Sequence, residues 1–321
     1  MSSSTNLSAW VHTLRFEAED IISIDLRPAD GVVFPAFEAG SHIDLHLPNG
    51  MVRSYSLSNS TTESQRYVVG VLKDRASRGG SRCVHEQLRV GLSLQISAPR
   101  NNFPLHEDAT YSVLVAGGIG VTPVLCMARR LKELGKRFEF VYLARSRKNA
   151  AFIADIEALG VPVTWHYDDE QGGPPNLTAL LGRRAVNASE HYYACGPGVM
   201  LDNFEKTCAA LGHTQAHIER FSAVAVAAAT DAKASFTVEL RASGKTFEVT
   251  PDTDLHKQLI ASGVFIPFSC EEGICGSCET RVIEGDVDHR DSVLTAAERA
   301  ANTVMMVCVS GCKSQRLVLD L

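Results

Sequence analysis

Four cysteines near the C-terminal end constrain this 321-residue chain more than any other feature. Cys270, Cys275 and Cys278 form a C-x4-C-x2-C run, and Cys308 follows after 29 intervening residues. That is the spacing in which four thiolates ligate the two irons of a [2Fe–2S] cluster. The thiolates must converge on one small inorganic core, so the loop has to wrap tightly. Gly273 and Gly276 let its backbone approach and turn amide N–H groups toward the sulfides. Zinc is the alternative for clustered thiolates, but it is usually held by two CxxC knuckles and needs no glycine wrap. Cys312 competes as a ligand; the spacing favours Cys308 and leaves Cys312 a free thiol. Cys83, Cys126 and Cys208 read as small buried hydrophobes. An odd total of nine cysteines argues against a disulfide framework and for a reducing compartment, here the cytoplasm.

The rest of the chain is long enough for two or three domains of about 100–150 residues. Up to residue 106, short apolar runs alternate with turn signals: Ile21–Leu26, Ser41–Leu47, Arg66–Leu72 and Leu92–Ile96. Period-two patterning at this spacing predicts a small antiparallel β-barrel. From residue 107 to 224 strands and helices alternate, which predicts a parallel α/β sheet with helices on both faces. Tyr111–Ala116 is its first strand, Gly117–Gly120 a glycine turn, and Pro123–Leu134 a helix with Thr122 as N-cap. The alanine-rich stretch at 225–234 reads as a linker, and 235–321 forms a third, α+β domain carrying the four cysteines. No segment reaches the roughly 20 apolar residues that cross a bilayer. The formal charge of −6 is concentrated in 235–321, which holds 13 Asp/Glu against 8 Lys/Arg, leaving 24 against 23 elsewhere. Such a face either steers toward a basic partner or is simply solvated; nucleic acid is excluded as its partner.

Two further sets of residues carry chemistry. Gly117-Gly118-Ile119-Gly120-Val121-Thr122-Pro123 lies between a strand and a helix, where backbone amides can hold a pyrophosphate. It departs from G-x-G-x-x-G because Pro123 replaces the third glycine. Arg53-Ser54-Tyr55-Ser56 supplies a guanidinium for a phosphate, a ring for stacking and a small hydroxyl. Ser77–Ser81 adds Gly79, Gly80 and Ser81 at a helix start, which suits a phosphate.

The GGxGxTP turn, together with Cys195-Gly196-Pro197, resembles the pyridine-nucleotide domain of the ferredoxin-reductase superfamily. R-x-Y-S resembles that superfamily's flavin motif, and Phe236 to the C-terminus resembles plant-type ferredoxins. In this order they resemble the phthalate dioxygenase reductase family, which includes vanillate demethylase reductases, over nearly the whole chain. The resemblance implies FMN in the barrel, NADH in the α/β domain and a cluster at the C-terminus. It places Cys195 beside the nicotinamide with Thr122 nearby, and Ser56 near the flavin N5. Phe221 is either an aromatic neighbour of the flavin or ordinary core. Gly118, Gly120, Gly196 and Pro197 would hold the nucleotide, with Lys73 and Arg145 as further cofactor-binding cations. After Ala144 the basic run Arg145–Lys148 would also accept a 2′-phosphate, so NADPH remains open beside NADH. The implied partner is a Rieske-type oxygenase served by a monomeric reductase; the alternative acceptor is a P450 or a diiron hydroxylase. No general acid, base or nucleophile stands out, and the histidines are scattered along the chain.

Overall fold

The structure is a computed structural model that describes residues 6–29, 31–222 and 235–321. The expected linker at 225–234 lies outside the described residues. The chain divides into two compact units, Met1–Phe221 and Ser222–Leu321.

The first unit opens with seven antiparallel strands: β1 (Leu7–Ala18), β2 (Ile21–Pro28), β3 (Ser41–His46), β4 (Val52–Ser56), β5 (Tyr67–Leu72), β6 (Ser93–Ile96) and β7 (Arg100–Asn101). Their order is β4-β3-β6-β1-β2-β5, with β7 on β3, and a Leu57–Val69 bridge joins the two ends into a barrel. Alternate residues such as Ile24, Leu26, Ile43, Leu45, Val69 and Ile96 are fully shielded from solvent inside it. The twelve-residue β1 was not among the expected strands. Its register slips at Val11/Thr13 and again at Phe16/Ala18, and such bulges break the period-two pattern that reveals a strand. One helix, α1 (Gly80–Gln87), follows β5.

Five parallel strands come next: β8 (Tyr111–Gly117), β9 (Phe138–Ala144), β10 (Val163–Tyr167), β11 (Glu190–Cys195) and β12 (Ala216–Glu219), in the order β10-β9-β8-β11-β12. The helices between them are α2 (Val121–Glu133), α3 (Ile153–Glu157), α4 (Asp168–Gln171), α5 (Leu177–Leu181) and α6 (Gly198–Leu211). Leu114 and Ala116 pack with α2 and the barrel, whereas Val113 and Val115 pack with α5 and α6, so this sheet is buried on both faces. The expected start of α2 needs correction. A 3-10 turn at Gly118–Gly120 runs straight into the helix, so helical geometry begins at Val121 with Gly120 at the cap. Thr122 therefore lies inside the first turn, where its hydroxyl donates back to the Ile119 carbonyl at 3.2 Å.

The second unit has a mixed sheet of β13 (Phe236–Leu240), β14 (Thr246–Val249), β15 (Glu279–Glu284), β17 (Val304–Met306) and β19 (Arg316–Leu319), ordered β14-β13-β19-β15-β17, and a small ribbon of β16 (Val287–Asp288) with β18 (Gly311–Cys312). Two helices accompany it, the first of which packs Leu255 and Leu259 into its core. Asp254 caps α7 (Leu255–Ala261), accepting from the His256 and Lys257 amides, and Thr295 with Glu298 forms a capping box on α8 (Ala296–Ala301). The core combines Val238, Leu259, Met305, Met306 and Leu317 with Cys278.

Candidate functional site

In the parallel sheet the strand order reverses between β8 and β11, and the crevice beyond their carboxyl ends is where such folds bind ligands. The glycine turn leaves β8 there, and Cys195-Gly196-Pro197 leaves β11 beside it. The two turns touch so closely that only glycine fits: a Cβ on Gly120 would lie 2.2 Å from the Cys195 carbonyl oxygen. Tyr142 on β9 braces the glycine turn, its hydroxyl donating to the Gly118 carbonyl at 3.2 Å and accepting from the Ala151 amide at 2.9 Å. Thr122 reaches the other way. Its methyl packs where a Cβ on Gly70 of the barrel would stand, 2.7 Å away, so the barrel and the parallel sheet meet at this turn.

One hydrogen bond across that junction organises the site. The buried Ser56 hydroxyl, at the end of barrel strand β4, donates to Glu219 Oε2 at 3.2 Å, and the Cys195 thiol lies 4.0 Å from the same oxygen. Burial pushes the Glu219 carboxyl up to about 8, only partly offset by the Ser56 hydroxyl, so it holds a proton at neutral pH. Burial, and then Glu219, push the Cys195 thiol well above its ordinary range, so it stays a neutral thiol. Glu219 was not singled out from the sequence. A lone acid ending a strand carries no spacing signal, and its proton affinity comes from burial alone. Phe221, two residues on, is 37% exposed.

Below the strand ends, Arg53 on β4 lies against the start of α1, where a Cβ on Gly80 would come 2.7 Å from the arginine side chain. Its guanidinium donates to the Val52 carbonyl at 2.7 Å, and Gly79 at φ 113 caps the helix. Ser81 Oγ accepts from the Asp74 amide at 3.1 Å. A cation, a hydroxyl and the free amides of a helix start thus converge, a donor set matched to a phosphate. Tyr55, next to Arg53, is packed against the barrel core, and burial raises its hydroxyl above the usual tyrosine range. Two expected cofactor residues stand outside this group. Lys73 pairs with Glu86 at 2.9 Å on the far end of α1, and Arg145 is exposed at the end of β9. Beside it, Arg147 is held by Glu170 at 2.6 and 3.1 Å.

In the second unit the sulfur of Cys270 is in hydrogen-bond contact with those of Cys275 and Cys308, and that of Cys308 with Cys278. Amides of Glu272 and Ile274 point at Cys270 Sγ from 3.3 and 3.5 Å. The wrap depends on Gly273, at φ 68, where a Cβ would lie 2.6 Å from the Val309 side chain and 2.9 Å from Asp291 Cα. Asp291 is buried and anchors the next loop by accepting from the Val293 and Leu294 amides at 3.1 and 2.8 Å. Four converging sulfurs in a shell of inward amides fit a [2Fe–2S] core. Cys312 is turned elsewhere, 3.1 Å from Ser314 Oγ and 3.6 Å from the Arg316 carbonyl.

Known proteins carry the same parts. Residues 238–313 match the family described as 2Fe-2S iron-sulfur cluster binding domain. The chain is 44% identical over 319 residues to a vanillate O-demethylase oxidoreductase of Pseudomonas sp. (strain HR199 / DSM 7063), covering 97% of this chain and 98% of that one. It also superposes on the structure of phthalate dioxygenase reductase with a TM-score of 0.72 and 36% identity, each chain covered to 98%. The chain belongs to the phthalate and vanillate dioxygenase reductase family. As a member, it is an oxidoreductase that uses NADH, a flavin and a [2Fe–2S] cluster. A third comparison, at TM-score 0.90 and 38% identity, is with an intact type IV self-sufficient cytochrome P450 monooxygenase; it covers 98% of this chain and 41% of that longer one. Among the described residues of this reductase, no helix is long and apolar enough to cross a membrane.

Proposed function

We propose that this reductase carries electrons from NADH through FMN and the [2Fe–2S] cluster to a separate Rieske-type oxygenase, with residues 1–106 holding FMN, 107–224 holding NADH and 235–321 holding the cluster. The supporting observation is the meeting of three elements at one crevice: the Gly117–Thr122 turn, the Cys195–Pro197 turn and the Ser56–Glu219 hydrogen bond. When bound, FMN supplies the conversion between two-electron hydride chemistry and one-electron transfer. The protein's work is placement. In this assignment the turn at Gly118, Gly120 and Thr122 takes the pyrophosphate, and Cys195, Gly196 and Pro197 border the nicotinamide. Arg53, Gly79, Gly80 and Ser81 take the flavin phosphate, and Tyr55 packs against the ring system. The Ser56 hydroxyl borders the reacting nitrogen, and Glu219, which accepts its proton in a hydrogen bond, fixes its position while remaining protonated. Phe221 covers the crevice, and Lys73 and Arg145 act at its rim. Cys270, Cys275, Cys278 and Cys308 ligate the cluster.

We place the protein in the cytoplasm as a monomer; none of its nine cysteines forms a disulfide, which fits a reducing compartment. Anaerobic titration with NADH is the test: flavin and cluster should be reduced together, with a rhombic low-temperature EPR signal and FMN released on denaturation. Reduced flavin beside an oxidised cluster would refute the proposed chain of centres. The similarity to a P450-containing chain favours one second reading, in which the acceptor is a P450. NADH-driven reduction of candidate Rieske oxygenases and P450s in parallel decides between the two.

A further inference from the structure

Far along the same strand from Cys195, three histidines that are remote in sequence come together. His106 lies in the segment joining β7 to β8, His191 near the start of β11 and His217 on β12. His191 Nδ1 and His217 Nε2 are 3.0 Å apart, and one ring nitrogen from each of the three histidines falls within 4.8 Å of the others. The His106 ring is 4.6 Å from that of His191 and 5.0 Å from that of His217. The group is held from behind: Tyr193 stacks on His217 at 4.9 Å, and its hydroxyl accepts from the His106 amide at 2.9 Å.

We propose that His106, His191 and His217 form a binding site for one divalent transition-metal ion of the zinc type. Two nitrogens on a tetrahedral Zn²⁺, each at about 2.0–2.1 Å, are about 3.3 Å apart, close to the His191–His217 separation. Imidazole nitrogens select Zn²⁺, Ni²⁺ or Cu²⁺ over Mg²⁺ and Ca²⁺, and three of them leave a fourth position for water. The position indicates the role. His191 precedes Cys195 by four residues, roughly 13 Å along a strand, so the ion stands clear of the nicotinamide crevice. It would tie the connector carrying His106 to two strands of the sheet, fastening the barrel's exit segment to the nucleotide domain. A hydrogen-bonded stack of imidazoles without metal affinity is the competing account of the same geometry.

The test uses the purified protein with flavin and cluster fully loaded, so that iron occupies the four cluster thiolates. After brief chelation and desalting, equilibrium dialysis against micromolar ZnCl₂ should give one zinc per chain. Zinc-edge X-ray absorption should show nitrogen and oxygen neighbours at about 2.0–2.1 Å and no sulfur. Replacing the exposed His106, as His106→Ala, should weaken binding at least tenfold and abolish a zinc-dependent rise in Tm, with flavin and iron content serving as the check on folding. Failure to take up zinc, sulfur in the zinc shell, or equal affinity in His106→Ala would each overturn the proposal.

Discussion

The substitution Glu219→Gln isolates the titration of one half-buried carboxyl while leaving an oxygen to accept from Ser56. In the wild type the folded-state value of about 8 is raised from the ordinary 4.5. Below pH 4.5 the folded and unfolded states both hold the proton, and this group leaves stability unchanged. Between pH 4.5 and 8 only the folded state holds it, so stability falls by about 1.4 kcal/mol per pH unit, roughly 5 kcal/mol in all. The amide of the Glu219→Gln variant cannot titrate, and the variant should show none of this slope. From pH 6 to pH 8 the wild type should therefore lose about 2–3 kcal/mol relative to the variant. At about 2–4 °C per kcal/mol for a unit of this size, that is a relative Tm change of roughly 5–10 °C. Thermal melts of the flavin-loaded protein at half-unit pH steps, followed by flavin fluorescence, would measure it. Parallel Tm–pH curves for the two proteins would refute the inference that packing holds Glu219 protonated at neutral pH.

Gly120→Ala should lower kcat/KM for NADH-driven ferricyanide reduction by about 100-fold, because relieving a 2.2 Å contact parts the two turns by about an ångström. Arg53→Lys should lose FMN on gel filtration even though charge is kept, since a point cation cannot reproduce a guanidinium fork on a phosphate; full FMN retention would remove Arg53 from the phosphate site. Cys308→Ser should abolish the rhombic EPR signal and Cys312→Ser should leave it intact, a pair of outcomes that tests the ligand assignment directly. Ser56→Ala should slow flavin reduction by NADH in stopped flow by about 10-fold or more with little change in NADH affinity, the signature of a group that positions rather than binds.

What the sequence determined by itself is local. The cluster loop was legible because four thiolates on one inorganic core impose a covalent spacing, and the loop's tight turns demand glycines in registered places. The glycine turn and R-x-Y-S were legible for the same reason: close backbone approach and phosphate recognition need particular residues within a few positions. Barrel strands with clean alternation were visible, whereas β1 was hidden by its bulges, and the start of α2 shifted because a 3-10 turn propagated helical geometry into Val121. What only the tertiary structure decided is long-range. Ser56 and Glu219 are 163 residues apart, and nothing near either one marks a shared hydrogen bond. Glu219 reads as an ordinary surface acid until packing strips away part of its water and raises its proton affinity. His106, His191 and His217 looked scattered because the connector and two neighbouring strands bring them together, and each has its own unrelated sequence context. Spacing rules encode chemistry that one segment can complete; burial and cross-strand proximity are properties of the folded chain, and they supplied the rest.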